Sequence, residues 1–166
     1  KPWETRFSDF YSNRGMLGFI VLATDLVMEN NIIRLTPEGV GLSFSRIPCK
    51  TDVNNTFLRQ QLAMLPSAAA MIQPDKPPDL VCYACTSGSI LNGEQNCMDA
   101  IKVGAPHSKS MTLVTGVVDA MKTLGALNIV VGTPYLDEVN SVELDFLIDS
   151  GFNVLDIQGL NVSDGA

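Results

Sequence analysis

The sequence predicts an α/β fold in which parallel sheets are flanked by helices. Two observations carry this prediction. Short apolar runs of strand length recur along the chain, and segments whose apolar residues have helical spacing separate them. Strands that alternate with helices imply βαβ units, and hence parallel pairing with right-handed crossovers.

Taken in order, GMLGFIVL at residues 15–22 is continuously apolar, as for a strand covered on both faces. GLSFSRI at 41–47 alternates and suits a second strand. Residues 55–65 place Phe57, Leu58, Leu62 and Leu65 at helical spacing, with Asn55 as cap. QPDKPP at 73–78 is too short to divide domains and leads into a strand at 79–84. A helix is predicted over 93–103, ending at Gly104. Another spans 112–124, with Leu113, Val117, Met121 and Leu124 on one stripe and a stop at Gly125. NIVVG at 128–132 is a buried strand. Residues 140–148 are helical: Asn140 followed by Glu143 predicts a capping box, and Gly151 ends the helix. The last strand is 152–157.

Composition narrows the function. The chain has 166 residues, 46% apolar, enough for a packed core. Its formal net charge is −7, with no basic stripe and no aromatic platform, which excludes a nucleic-acid partner. The longest apolar run, 15–27, contains Asp25 and falls short of the roughly 18 residues a membrane span needs. No signal-peptide pattern is present. The chain begins at Lys1, so its first residue is expected not to be the translated one. Cys49, Cys82, Cys85 and Cys97 are irregularly spaced, which predicts reduced thiols in a cytoplasmic protein rather than a disulfide framework.

The stretch CYACTSGSI at 82–90 carries the chemistry. Cys85, Thr86 and Ser87 fall just past the carboxyl end of a parallel strand, where open α/β sheets bind ligands. The helix that follows points its N-terminus there, which predicts a lowered thiol pKa and an anion site. A zinc half-site would need two further ligands, and the chain offers one histidine, His107, and no second CxxC. A redox CxxC normally opens a helix, whereas Cys82 lies inside the strand. Strand alternation sends Cys82 and Cys85 to opposite faces, leaving Cys82 a core residue. For Cys85 a packed thiol is the competing reading. Residues 104–110 look faintly like a P-loop but lack the glycine before the lysine. Two more strand ends carry polar groups: Thr24-Asp25 after the first strand, and Gly132-Thr133-Pro134-Tyr135 after the strand at 128–132.

GFIVLATD at 18–25, YACTSGSI at 83–90 and VVGTPYLDEVN at 130–140 together resemble the aspartate/glutamate racemase superfamily. The nearest branch is that of maleate cis-trans isomerases, ectoine-utilisation EutA proteins and arylmalonate decarboxylases. The resemblance implies two similar α/β lobes with the active site between them, and no metal or organic cofactor. It implies that Cys85 is the first-lobe catalytic cysteine, that Thr86 and Ser87 bind a substrate carboxylate, and that Tyr135 closes the pocket. It also places Thr24 among the substrate-binding residues: maleate isomerases have asparagine there, whereas this chain has Ala23-Thr24-Asp25, as the EutA branch does. Arylmalonate decarboxylases have glycine at the position of Cys85.

The family has roughly half as much chain again, including a strand end with a second cysteine that none of Cys49, Cys82 or Cys97 replaces. The expectation is a first lobe over residues 1–112 and the opening half of a second over 113–166, the chain being a fragment. The expected function is a cofactor-independent isomerase or racemase acting on a small carboxylic acid through a cysteine thiolate, most like maleate cis-trans isomerase. Decarboxylation of malonate-type acids and non-catalytic carboxylate binding are the alternatives. The expected partner is a small carboxylate or dicarboxylate, with no nucleic acid and no membrane; a homo-oligomer is compatible with this reading.

Overall fold

The computed structural model describes Glu4, residues 12–49 and residues 55–162. Its first sheet contains β1 (Gly15–Leu22), β2 (Val40–Ile47), β3 (Leu80–Tyr83) and β4 (Lys109–Thr112), in the order β2-β1-β3-β4. Its second pairs β5 (Asn128–Thr133) with β6 (Asn153–Gly159). Every pairing is parallel: Gly15 lies opposite Val40, Leu17 opposite Leu80, Leu80 opposite Lys109, and Asn128 opposite Asn153. The helices are α1 (Met28–Leu35), α2 (Asn55–Gln61), α3 (Leu65–Ala70), α4 (Thr86–Asn92), α5 (Glu94–Gly104), α6 (Leu113–Thr123) and α7 (Asp137–Asp149). A 3₁₀ turn over Leu62–Met64 joins α2 to α3. The predicted α/β class with parallel sheets flanked by helices is what the chain adopts.

The main core lies on one face of the first sheet. Ile20, Val81 and Tyr83 point from the strands into Leu58, Leu65, Ala68 and Ala69 of α2 and α3, and Cys97 and Ile101 of α5. Burying each large aliphatic side chain there stabilises the fold by roughly 1.5–3 kcal/mol. Helices α3 and α5 approach closely at Gly104, where an added Cβ would be driven into the Pro66 carbonyl oxygen. The opposite face is thinner. Leu17, Phe19, Leu80, Cys82 and Met111 border a hollow beside α6, and Phe19 stacks on Phe44 with ring centroids 5.7 Å apart. The full cover predicted for both faces of β1 is therefore not found: Leu17 and Phe19 stay half-buried, because α3 and α5 both pack against the sheet's other side. Cys82 and Cys85 do point to opposite faces, as alternation requires.

Two local expectations are overturned. The predicted stripe of α6 is turned by one residue: Val114 and Val118 are buried, while Val117 is 40% and Leu124 82% exposed. This helix lies between the two sheets. Val118 packs with Leu147 and Phe152 under β5 and β6, leaving Leu113 and Val117 to the first sheet's hollow. The predicted capping box at Asn140 does not form either. Helix α7 starts three residues earlier, after Leu136, and Asn140 and Glu143 are buried within it. Tertiary hydrogen bonds outweigh the local cap: Thr133 Oγ1 donates to Asn140 Oδ1, and Asn140 Nδ2 donates to the Tyr135 carbonyl at 3.4 Å. The side chain of Asn55, the other predicted cap, lies outside the described ones. Thr112 caps α6, its hydroxyl accepting from the Thr115 N–H at 3.2 Å.

Strand β4 and helix α1 were not foreseen. The first is four residues, KSMT, at a sheet edge, with no apolar run to announce it. The second has no buried residue. It is held instead by Asp25, whose Oδ1 accepts from the N–H groups of Val27 and Met28 at 2.9 and 2.8 Å.

Candidate active site

The carboxyl end of β3 delivers Cys85 to the start of α4. Cys85 is extended, with φ −140°, and acts as the N-cap residue: its sulfur accepts the Gly88 N–H at 3.4 Å. Its carbonyl accepts the Ser89 hydroxyl, which fixes the turn. The Ser87 Oγ stands 3.9 Å from the Cys85 sulfur. Cys85 and Ser87 are buried and Thr86 is half-buried. A glycine stands at 88 because an added Cβ there would come within 3.0 Å of the Cys85 sulfur.

Burial governs the thiol. It pushes the Cys85 pKa above its ordinary value, while the Gly88 N–H and the Tyr83 and Ser87 hydroxyls pull the other way and lose. The lowered pKa expected from the helix terminus is thus overturned: α4 has seven residues, and desolvation exceeds what its first turn supplies. Cys82 and Cys97 are pushed up to about 12 by burial. Among these buried thiols, Cys85 is set apart by three polar groups around its sulfur, the Gly88 N–H and the Tyr83 and Ser87 hydroxyls. Ionised Cys49, just past β2, would raise it further, and Cys97 is also within electrostatic reach. None of the four cysteines is in a disulfide.

The second sheet supplies Tyr135. The loop after β5 is braced by Thr133, whose Oγ1 accepts the Tyr135 N–H at 3.2 Å. The Tyr135 hydroxyl reaches across to the side chains of Ser87 and Thr86. Burial raises its pKa, so it stands as a neutral donor. Thr86 and Tyr135 line one end of a cavity of about 460 Å³ between α4, α6, β5 and α7. Its remaining wall is mostly apolar, from Ile90, Val114, Met121, Ile129 and Leu147, with one carboxyl, Glu143. Glu143 is 7% exposed, and burial raises its pKa to about 7. A larger hollow of about 850 Å³ lies at the amino ends of β1 and β2, around Arg14, Pro37 and Gly39. It is remote from the strand ends where parallel sheets bind ligands.

Four of the five predicted site residues therefore meet: Cys85, Thr86, Ser87 and Tyr135. Thr86 and Tyr135 line the cavity, and Cys85 and Ser87 lie buried behind them. Thr24 does not line it; it is exposed in the turn after β1, and its neighbour Asp25 accepts from the first N–H groups of α1. His107 is exposed in a loop that runs into β4. Among the described residues no group of three His, Cys, Asp or Glu could hold a metal ion, and no helix is long and apolar enough to cross a membrane. Sequence reasoning missed Glu143, Tyr83 and Gln61 as parts of this region. Glu143 had a readable signal: with Val139 and Leu147 it forms an i, i+4, i+8 stripe, so a carboxyl sits on a buried helix face.

The family model for arylmalonate decarboxylase matches residues 80–165. No curated protein matches the sequence. The fold is that of the maleate isomerase from Pseudomonas putida solved with maleate, at TM-score 0.77 and 22% identity over 90% of this chain and 64% of that one. It is equally that of a cysteine-to-serine mutant of the maleate cis-trans isomerase from Nocardia farcinica, solved with a covalently bound succinylcysteine intermediate, at TM-score 0.76, 19% identity and the same coverage. A liganded double mutant of arylmalonate decarboxylase gives TM-score 0.75 and 20% identity over 90% of this chain and 63% of that one. The chain thus spans just under two thirds of the length of these structures. Since the family model covers more than half of the chain, the segment from β3 through β6 that holds Cys85 and Tyr135, this chain belongs to the arylmalonate decarboxylase family, within the Asp/Glu racemase-like superfamily.

Proposed function

We propose that this chain serves a cofactor-independent isomerase or racemase of small carboxylic acids, most like maleate cis-trans isomerase, with Cys85 as its reacting group. The observation that carries the reading is the convergence of three hydroxyls, those of Thr86, Ser87 and Tyr135, beside one buried thiol at a strand end. Hydroxyl donors suit a carboxylate, and they stabilise it most when negative charge builds up on it.

With a cis-alkene dicarboxylate, the Cys85 thiolate gives an electron pair to one alkene carbon. The π pair moves onto the neighbouring carboxylate as an enediolate held by the three hydroxyls. The former double bond rotates, the pair returns, and the carbon–sulfur bond breaks to release the trans acid and the thiolate. The succinylcysteine found in the Nocardia enzyme is an adduct of this type. With a saturated acid, the thiolate instead takes the α-proton, the C–H pair moves onto the carboxylate as the enediolate, and an acid on the opposite face, a second cysteine by resemblance to the family, returns a proton and inverts the centre.

The family model favours a second reading, decarboxylation of a malonate-type acid. Carbon dioxide would leave its bonding pair as the same enediolate. The Cys85 thiol would then protonate the α-carbon and regain a proton from water. The upward push on the Cys85 pKa suits a proton donor in this step.

The test is a proton NMR screen in deuterated buffer with maleate, aspartate and an arylmalonate, run beside Cys85→Ala. Isomerised maleate or exchange of an α-proton, lost in Cys85→Ala, is the expected result. Carbon dioxide release from the arylmalonate alone would select the second reading. Binding of these acids with no turnover of any would leave a carboxylate-binding protein.

A further inference from the structure

Beneath Cys85 lie two buried polar side chains that this chemistry does not use. Tyr83 on β3 and Gln61 at the end of α2 are both 0% exposed. Tyr83 belongs to the apolar cluster of Ile20, Ile47, Leu58 and Leu65. A phenol hydroxyl and a primary amide placed there cost free energy unless they are hydrogen-bonded, and an apolar pair would fill the volume without that cost. The two do bond to each other: Tyr83 Oη donates to Gln61 Oε1. The Gln61 Nε2, however, has no hydrogen-bond partner.

Gly88 shows where the pair points. A Cβ at this position would collide with the Tyr83 hydroxyl and stand 2.8 Å from Gln61 Oε1 and 3.0 Å from the Cys85 sulfur. Polar atoms from α2, β3 and the start of α4 therefore meet over one glycine. The absence of a side chain at 88 makes room for that meeting.

We propose that Tyr83 and Gln61 are positioning residues that hold the Cys85 sulfur in both protonation states by reversing one chain of hydrogen bonds. In the neutral state the thiol S–H donates to Tyr83 Oη, which donates to Gln61 Oε1, and Nε2 is idle. In the ionised state the Tyr83 O–H turns to the sulfur. The Gln61 carboxamide makes a half turn, and Nε2 donates to Tyr83 Oη. The donor that is idle in one state is used in the other. No proton travels along the chain: the one lost from sulfur goes to solvent, and the phenol stays protonated because burial holds its pKa far above the ordinary range. A phenol donating to Cys85 also lowers the thiol pKa against the desolvation that raises it.

This inference rests on reading Cys85 as the reacting group, and the experiment separates the two. The rate of Cys85 alkylation by iodoacetamide is measured against pH by peptide mapping in the wild type, Tyr83→Phe, Gln61→Leu and the double variant. Other ionisable groups that bear on the sulfur, Cys49, Cys97 and Tyr135, are kept in all four proteins. Loss of one hydrogen bond to a charged sulfur moves its pKa up by about one to two units. Tyr83→Phe is therefore expected to shift the labelling midpoint upward by that amount, making labelling tenfold or more slower at a fixed pH below it. Gln61→Leu should shift it in the same direction by less, and the double variant no further than Tyr83→Phe. A role in packing alone would lower the melting temperature and leave the midpoint where it was. An unmoved midpoint in Tyr83→Phe overturns the relay while Cys85 remains the reacting group. Should that variant not fold, an unmoved midpoint in Gln61→Leu overturns it equally. A wild-type Cys85 that resists labelling at every pH the fold survives removes both the relay and the reading beneath it.

Discussion

The two sheets are built to different standards of cover. In the first, Ile20, Val81 and Tyr83 are fully buried under three helices. In the second, Val130 and Leu155 are 67% and 65% exposed, and the apolar cluster is centred on Val118, Leu147 and Phe152. The candidate site spans the difference. The first sheet delivers the Cys85 sulfur and surrounds it with buried polar groups, the Gly88 N–H and the Tyr83 and Ser87 hydroxyls. The second holds Tyr135, a donor whose two-residue anchor to Thr133 and contact with Ser87 set its reach. Placement of the sulfur is thus a matter of core packing, and placement of the phenol a matter of a few polar contacts.

The comparison breaks most visibly in stability. Ile101→Ala, under the first sheet, is expected to cost about 2–5 kcal/mol, because a tightly packed site collapses only partly around the void. Leu155→Ser, on the open side of the second, is expected to change stability by no more than about 0.5 kcal/mol. Urea denaturation of the two variants measures both. Similar losses would mean that the second sheet is covered in solution.

That asymmetry also explains what the sequence made legible. Strands β1 and β3 are central enough to need apolar runs, and they read directly. The run at 128–132 also marked a strand, but the buried strand predicted there is not found: β5 has one neighbour strand, and Val130 is 67% exposed. Strand β4 could not be read, since four residues at an edge need no such run. The stripe of α6 was misread by one position because the helix serves two sheets, and a single-face pattern does not describe it. At the site, the residues set by short motifs were legible: Cys85, Thr86, Ser87 and Tyr135. Tyr83 and Gln61 were not, because their pairing joins positions 22 apart and leaves no mark in either segment. The direction of the Cys85 pKa was also hidden, since it depends on burial rather than on position at a helix start.

Tyr135→Phe sharpens the comparison at the site itself. One hydroxyl is lost from a half-buried ring, so the fold should persist and the melting temperature should barely move. A hydrogen bond to a charged group is worth about 1.5–3 kcal/mol, which is on the order of 10- to 100-fold in carboxylate affinity or turnover. Titration calorimetry with maleate, or kinetics on the acid that the screen selects, reads this directly. Unchanged values would place Tyr135 outside the site.

The smallest expected effect concerns Glu143, the one carboxyl in the wall of the cavity between the sheets. Its pKa in the fold is raised to about 7 by burial. In the unfolded chain it returns to about 4.3. Between those values the folded protein holds a proton that the unfolded chain gives up. Stability therefore falls as pH rises through that window, and the full penalty is present above about pH 7. Glu143→Gln keeps the shape of the neutral acid and cannot ionise. At pH 5 it should be nearly neutral in effect. At pH 8 it should stabilise by on the order of 1–2 kcal/mol, a figure discounted for solvent that enters the open cavity, and raise the melting temperature by roughly 2–8 °C. Thermal melts of both proteins at the two pH values give the answer. An equal shift at pH 5 and pH 8 would show that Glu143 stays ionised throughout, and that the cavity is wetter than its apolar wall implies.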